Sequence, residues 1–341
     1  MCLSTNMKMM VAKRDIKCFK VLRKSGRSNY ATPSVGTKVK LNEMLIADQQ
    51  NIKYNEEGYN SISGGFIHAL LTFDEKGGGW GDDCVVFKAT IPAGTEFFVA
   101  DDFHQICARQ MFISDKKATV AEGKKPDYYT LAIVIAEVNE QTIEDGKVAI
   151  GDFCVVQQDG SKKYIHRSEF TPEMDNDVIG VVGFFNEDGT PVTISREEVD
   201  KAWCTLDWDK RTLINDDVSY DNYEKSLNGK VLTENVLKSK HYKSTKYPMF
   251  KYISEYKTKG TKTGDWYVGA IGELKKMSRN TMQINISLMM LNGATLLYHW
   301  LWSSSEYNSS HAWGLNPSNG TVYGNGKSYS YRVRAFAAFL S

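Results

Sequence analysis

The stretch from Trp302 to Tyr331 constrains the chain most: of its thirty residues, twenty are Ser, Asn, Gly or Tyr. A segment this polar cannot bury a core of its own. Yet Trp302, Trp313 and Val322 punctuate it, and Val333, Phe336 and Phe339 follow it closely. A few large apolar anchors can hold such a stretch against a folded body. Tyr then gives wide, rigid contact area at small entropic cost, while Ser, Gly and Asn adapt their hydrogen bonds. The segment reads as a recognition surface, and the rest of the chain must supply its scaffold.

The chain has 341 residues, enough for two domains at about 100–200 residues each. Forty-two Lys and Arg against 41 Asp and Glu give a net charge of +1, which argues against nucleic acid as a partner. No apolar run reaches the ~20 residues of a membrane span. Cys2, Cys18, Cys84, Cys107, Cys154 and Cys204 are scattered without a CxxC pair and read as reduced thiols. Met1–Asp15 carries Lys8, Lys13 and Arg14 but no apolar core or small-residue cleavage site, so no signal peptide is expected.

Short β-branched and aromatic runs dominate the first part. Ile16–Leu22 alternates polar and apolar residues, and Gly65–Phe73, Asp83–Pro92 and Glu96–Ala100 follow as strands. The polar segment Asp115–Asp127, with Gly123 and Pro126, is the expected linker. The boundary is placed between a β-rich domain, residues 1–125, and a second domain, residues 126–341. Tyr129–Val138, Gly151–Gln157 and Val178–Asn186 are read as further strands, with turns at Gln158–Gly160 and Asn186–Gly189. The pattern of Ser195–Trp203 fits either a short helix or a strand. Leu227–Lys238, Ser244–Lys257 and above all Gly272–Leu291 show helical spacing, the last stopped by Asn292-Gly293. The fold class is therefore α+β.

Chemical motifs are sparse. His311 has a carboxylate only at Glu306, five residues away, which is poor spacing for a metal or a catalytic pair. Asp82-Asp83, Asp101-Asp102 and Asp216-Asp217 do not form the alternating oxygen-ligand loop of an EF-hand. Gly77-Gly78-Gly79 lacks the Lys-Ser/Thr of a phosphate loop, and Ser303-Ser304-Ser305 lacks the Gly-x-Ser-x-Gly elbow. No catalytic residue, metal or cofactor is expected. Arg332 and Arg334 alternate, so they share a strand face; scaffold carboxylates such as Glu306 or Glu273 are their expected partners, with an acidic ligand the alternative.

Trp302–Tyr307, Ala312-Trp313, Asn319-Gly320 and Arg332-Val333-Arg334 with Phe336 and Phe339 resemble the end of C-type-lectin-fold variable proteins, the targets of diversity-generating retroelements in gut bacteria and phages. Gly264-Asp265-Trp266-Tyr267 and Gly272-Glu273-Leu274 resemble an upstream segment of the same family. The resemblance implies a C-type-lectin-like domain with a variable region at about residues 298–334. In such systems template adenines are miscopied, turning AAY codons into NNY codons. Those cannot encode Trp, Met, Gln, Glu or Lys, so Trp302, Glu306, Trp313 and Lys327 are expected to be constant.

The resemblance implies a ligand-binding set of Tyr298, His299, Ser310, His311, Gly314, Asn316, Ser318, Thr321, Tyr323, Asn325, Ser328, Tyr329, Ser330 and Tyr331. Most of them are expected on one exposed patch, with Tyr298 or His299 at its margin. The implied function is non-enzymatic: an adhesin on a phage tail or bacterial surface, binding a protein or glycan on a target cell, with a homo-oligomer left open as its assembly. An invariant virion knob is the alternative. A formylglycine-generating enzyme is disfavoured, because its copper-holding C-terminal cysteine pair has no counterpart after Cys204.

Overall fold

A computed structural model describes residues 3–5, 9–25, 30–33, 36–47, 60–62, 65–100, 102–124, 129, 131–133, 135 and 147–339. It is α+β, and the chain forms two compact units, Met1–Gln141 and Thr142–Ser341.

The first unit is built on a ten-stranded sheet. Its centre pairs Ile16–Lys24 with Cys84–Ile91 over eight residues, and Gln110–Lys117 lies on the far side of Cys84–Ile91. Buried Leu22, Phe87, Ile91, Phe97, Ile106 and Ile113 give these strands their inward rows. Two expectations differ here. The segment expected as a linker begins inside the strand Gln110–Lys117. It continues as the short helix Val120–Gly123, where Thr119 and Glu122 cap each other. Its residues 125–127 lie outside those described. Tyr129–Val138 was expected to be a strand, but its described residues 129, 131–133 and 135 are helical. Buried Leu131, Ala132 and Ile135 are spaced for one helix face.

The second unit begins with β1 (Phe153–Val156), β2 (Lys162–Ile165), β3 (Val178–Phe185) and β4 (Pro191–Ala202). Then come α1 (Gly229–Lys238), α2 (Pro248–Glu255), β5 (Tyr267–Val268), α3 (Ile271–Ser278) and α4 (Thr281–Met290). Four strands close the chain: β6 (Leu301–Glu306), β7 (His311–Asn316), β8 (Thr321–Gly326) and β9 (Ser330–Ala338). The sheet order is β2-β1-β3-β4-β9-β6-β7-β8, with β5 added to β9. All pairs are antiparallel except β6 with β9. The ambiguous segment Ser195–Trp203 is thus mostly strand. Gly189, at φ 84°, closes the β3–β4 turn where a side chain would be strained.

The expected helix Gly272–Leu291 is two helices. Asn280 leaves helical geometry at φ −116°, ψ 13°, and its side-chain amide donates to Lys276 O at 3.2 Å. The Thr281 hydroxyl donates to Ser278 O at 3.0 Å and to Pro317 O at 2.9 Å. These local bonds compete with the helical ladder. α4 is buried from Ile284 to Met290. Its Asn285 amide donates to Leu297 O and accepts from Leu297 N–H, fixing the approach to β6.

Glu273 is buried near the start of α3. Its carboxylate accepts from Ala270 N–H at 2.7 Å and faces the Tyr267 hydroxyl at 3.4 Å. It lines a cleft of 360 Å³ with Asn228, Lys230 and Lys276. Burial pushes its pKa up to about 8, from an ordinary 4.5, against the lowering effect of its backbone donors. The folded state therefore holds a proton that the unfolded state releases. Its contribution is complete below pH 4.5 and is lost as pH rises through about 8. Thermal unfolding measured across that window should show a falling melting temperature, and Glu273→Gln should flatten the fall. An unchanged slope in the variant would assign the pH dependence elsewhere.

Candidate functional site

The hairpin β7–β8 is the outermost part of the sheet, and its register runs from His311↔Gly326 to Asn316↔Thr321 without a shift. Alternation divides its side chains between two faces. One face carries Ala312, Gly314 and Asn316 beside Thr321, Tyr323 and Asn325. The other carries His311, Trp313 and Leu315 beside Val322, Gly324 and Gly326.

On the first face Tyr331 lies over Gly314, where an added Cβ would sit 3.0 Å from its ring. Tyr331 stacks on Trp300 at 5.7 Å and 25°, packs against Trp302 at 4.5 Å, and its hydroxyl meets the Asn325 amide. Tyr323 stands 56 % exposed on this face. On the second face Trp313 is fully buried beneath Tyr220, Tyr223 and Tyr307. His311 meets the edge of Trp208, which is 62 % exposed. Burial, then Arg211 and Lys327, hold the His311 pKa below its ordinary value.

The expected binding residues are therefore not one patch. Asn316, Thr321, Tyr323, Asn325 and Tyr331 share the first face, and His311 lies on the second. Ser328, Tyr329 and Ser330 are exposed on the turn into β9. Tyr298 and His299 are half-buried with rings 4.2 Å apart, and the half-buried Ser318 donates from its hydroxyl to Tyr298 O.

Two residues of the expected set are buried. Ser310 sits in a turn made by Asn308, whose side-chain oxygen accepts from Ser310 and His311 N–H. Its carbonyl accepts from Lys327 N–H and Arg211. Gly314 is flat because the Tyr331 ring occupies the space beside it. Neither presents an exposed side chain.

Beneath the hairpin lies a buried ion pair. Glu306 is 0 % exposed and Lys327 1 %. One Glu306 oxygen accepts from the Lys327 ammonium, and the other from Ile214 and Asn215 N–H at 2.9 and 2.6 Å. Lys327 also donates to Ser309 O at 2.9 Å and lies 4.3 Å over the Trp203 ring. Arg332 and Arg334 pair elsewhere than expected. Arg334 meets Glu198 at 2.9 Å and Arg332 meets Asp200 at 2.9 Å. Both carboxylates lie directly opposite on β4.

Trp300, Trp208, Tyr220 and Tyr307 complete these faces and are not among the expected binding residues. Trp208 had a signal: an indole between Asp207 and Asp209 in a polar run has little to bury against. Among the described residues no cluster of three or more His, Cys, Asp or Glu could hold a metal ion. Among them, too, no helix is long and apolar enough to cross a membrane.

No protein-family model matches the chain, and no curated protein does. Among solved structures, a fimbrial protein from Bacteroides ovatus ATCC 8483 is similar, with a TM-score of 0.44 at 12 % identity. The match covers 95 % of this chain and 64 % of that one, so this chain spans less than two thirds of its neighbour's length.

Proposed function

We propose that the chain is a non-enzymatic binding protein of the C-type-lectin-fold variable class, with its binding surface on the β7–β8 hairpin and the turn into β9. One observation carries the reading. Trp302, Glu306, Trp313 and Lys327 are residues that adenine miscopying cannot write, and none is more than 1 % exposed. Thr321, Tyr323, Ser328, Tyr329 and Ser330, all of writable types, are exposed. Such a division lets side chains change without touching the core, where substitutions commonly cost about 0.5–3 kcal/mol. Ser310 and Gly314 join the constant set, and the binding face centres on Tyr323, Asn325 and Tyr331. The setting is a bacterial surface or phage tail, where an oligomer would add avidity.

The test is to sequence this gene from many cells of its source population, together with the flanking DNA. Substitutions should concentrate at codons 316–331, spare 302, 306, 310, 313, 314 and 327, and match adenines in a nearby partial copy beside a reverse-transcriptase gene. An invariant segment overturns the reading.

A further inference from the structure

Strand β8 ends the sheet, so one of its edges faces away from β7. Lys327 N–H donates to Ser310 O at 3.0 Å, one step beyond the pair His311↔Gly326. In an antiparallel pair every second residue exchanges its main-chain bonds with the strand opposite. Thr321, Tyr323 and Asn325 therefore turn their main-chain groups towards β7, and Val322, Gly324 and Gly326 turn theirs outwards. Gly326 is already engaged: its N–H donates to Asn325 Oδ1 at 2.9 Å, and its carbonyl accepts from Tyr329 N–H at 3.0 Å. The N–H and C=O of Val322 and Gly324 have no partner among the described residues.

Proteins usually protect such an edge with a charge, a proline, a bulge or a covering segment. β8 reads Thr-Val-Tyr-Gly-Asn-Gly, with no charge, no proline and no register shift against β7. The next residue, Lys327, is turned inwards to Glu306.

We propose that an uncharged, extended segment of a partner protein adds to β8 as the next strand of the sheet. The inference rests on the binding-protein reading and deepens it, naming polypeptide as the ligand class. Donors and acceptors alternating at strand spacing match another main chain. A charged residue in the added strand would meet no counter-charge on β8. The added strand's side chains would lie beside Thr321, Tyr323 and Asn325 on one face. On the other they would meet Val322 and Tyr307, whose ring lies 3.0 Å from where a Gly324 Cβ would be. Main-chain bonds supply affinity in this mode and the flanking side chains supply selectivity. A surface whose side chains vary keeps a constant binding element in its backbone.

The test pans a phage-displayed library of random linear peptides on the full chain, with a glycan array run in parallel. Enriched peptides are then measured against Val322→Pro, Val322→Ala and Tyr323→Ala. Proline removes the outward N–H and leaves every bond to β7 in place. Val322→Pro should weaken peptide binding roughly ten-fold or more, and well beyond Val322→Ala, which trims the side chain and keeps the outward N–H. In the parent chain, bound peptide should slow amide exchange at Val322 and Gly324, a readout that does not depend on how the proline variant folds. Peptides that bind Val322→Pro normally and leave those amides unprotected overturn the edge proposal. If Tyr323→Ala alone weakens binding, or only glycans bind, the edge proposal falls and the binding-protein reading stands. If neither peptides nor glycans bind, both fall.

Discussion

Lys327→Met should lower the stability of the second unit by about 3–5 kcal/mol, the range for breaking one half of a buried ion pair. Lys327 lies among Glu306, Ser309 O and the Trp203 ring, with 1 % of its surface exposed. Removing it leaves the Glu306 carboxylate buried with only the Ile214 and Asn215 N–H groups to stabilise it. Glu306→Leu should cost a similar amount, because it leaves the ammonium with only Ser309 O and the Trp203 ring and strands both N–H groups. The double variant should recover part of the loss, since an apolar pair needs no desolvated charge. Urea unfolding of the two single variants and the double variant gives the coupling directly. Single losses under about 1 kcal/mol would mean that water reaches the pair, as it does for surface ion pairs.

The sequence disclosed the parts of this site better than their arrangement. Trp302 and Trp313 stand out as anchors because they are the largest apolar side chains in a Ser-, Asn- and Gly-rich stretch, whereas Val322, also expected as an anchor, is only half-buried. Lys327 and Glu306 stand out only as types that miscopying cannot write. Their pairing depends on the turn after β8 folding back over the end of β6, which no local pattern reports. Residue type also says nothing about pleat. His311 and Asn325 are equally polar, yet the register puts His311 opposite Gly326 and Asn325 opposite Ala312, on different faces. Arg332 and Arg334 were legible as one face of a strand. Their carboxylates on β4 follow from a pairing between segments far apart in the chain. The break at Asn280 was hidden because the apolar spacing of Leu274, Met277, Ile284 and Leu288 runs straight through it. Only the hydrogen-bonding habits of Asn280 and Thr281 mark the stop.

Trp313→Ala should cost about 3–5 kcal/mol, the range for truncating a large buried side chain. Its effect should also reach further than the cavity. The Trp313 indole N–H donates to Val218 O at 2.7 Å, while Val218 N–H donates to Glu306 O at 2.9 Å. Its ring is covered by Tyr220, Tyr223 and Tyr307. Without the indole, the segment around Val218 loses a hydrogen bond and its packing surface together. Amide exchange should therefore quicken at residues 214–223 before the unit as a whole unfolds. Tyr329→Ala is the control. Tyr329 is 60 % exposed, and its truncation should change stability by no more than about 0.5 kcal/mol. Denaturation of the two variants, read with exchange at 214–223, separates anchor from display surface. Equal losses in both would mean that the exposed tyrosine also carries folding energy, and a surface of that kind could not vary freely.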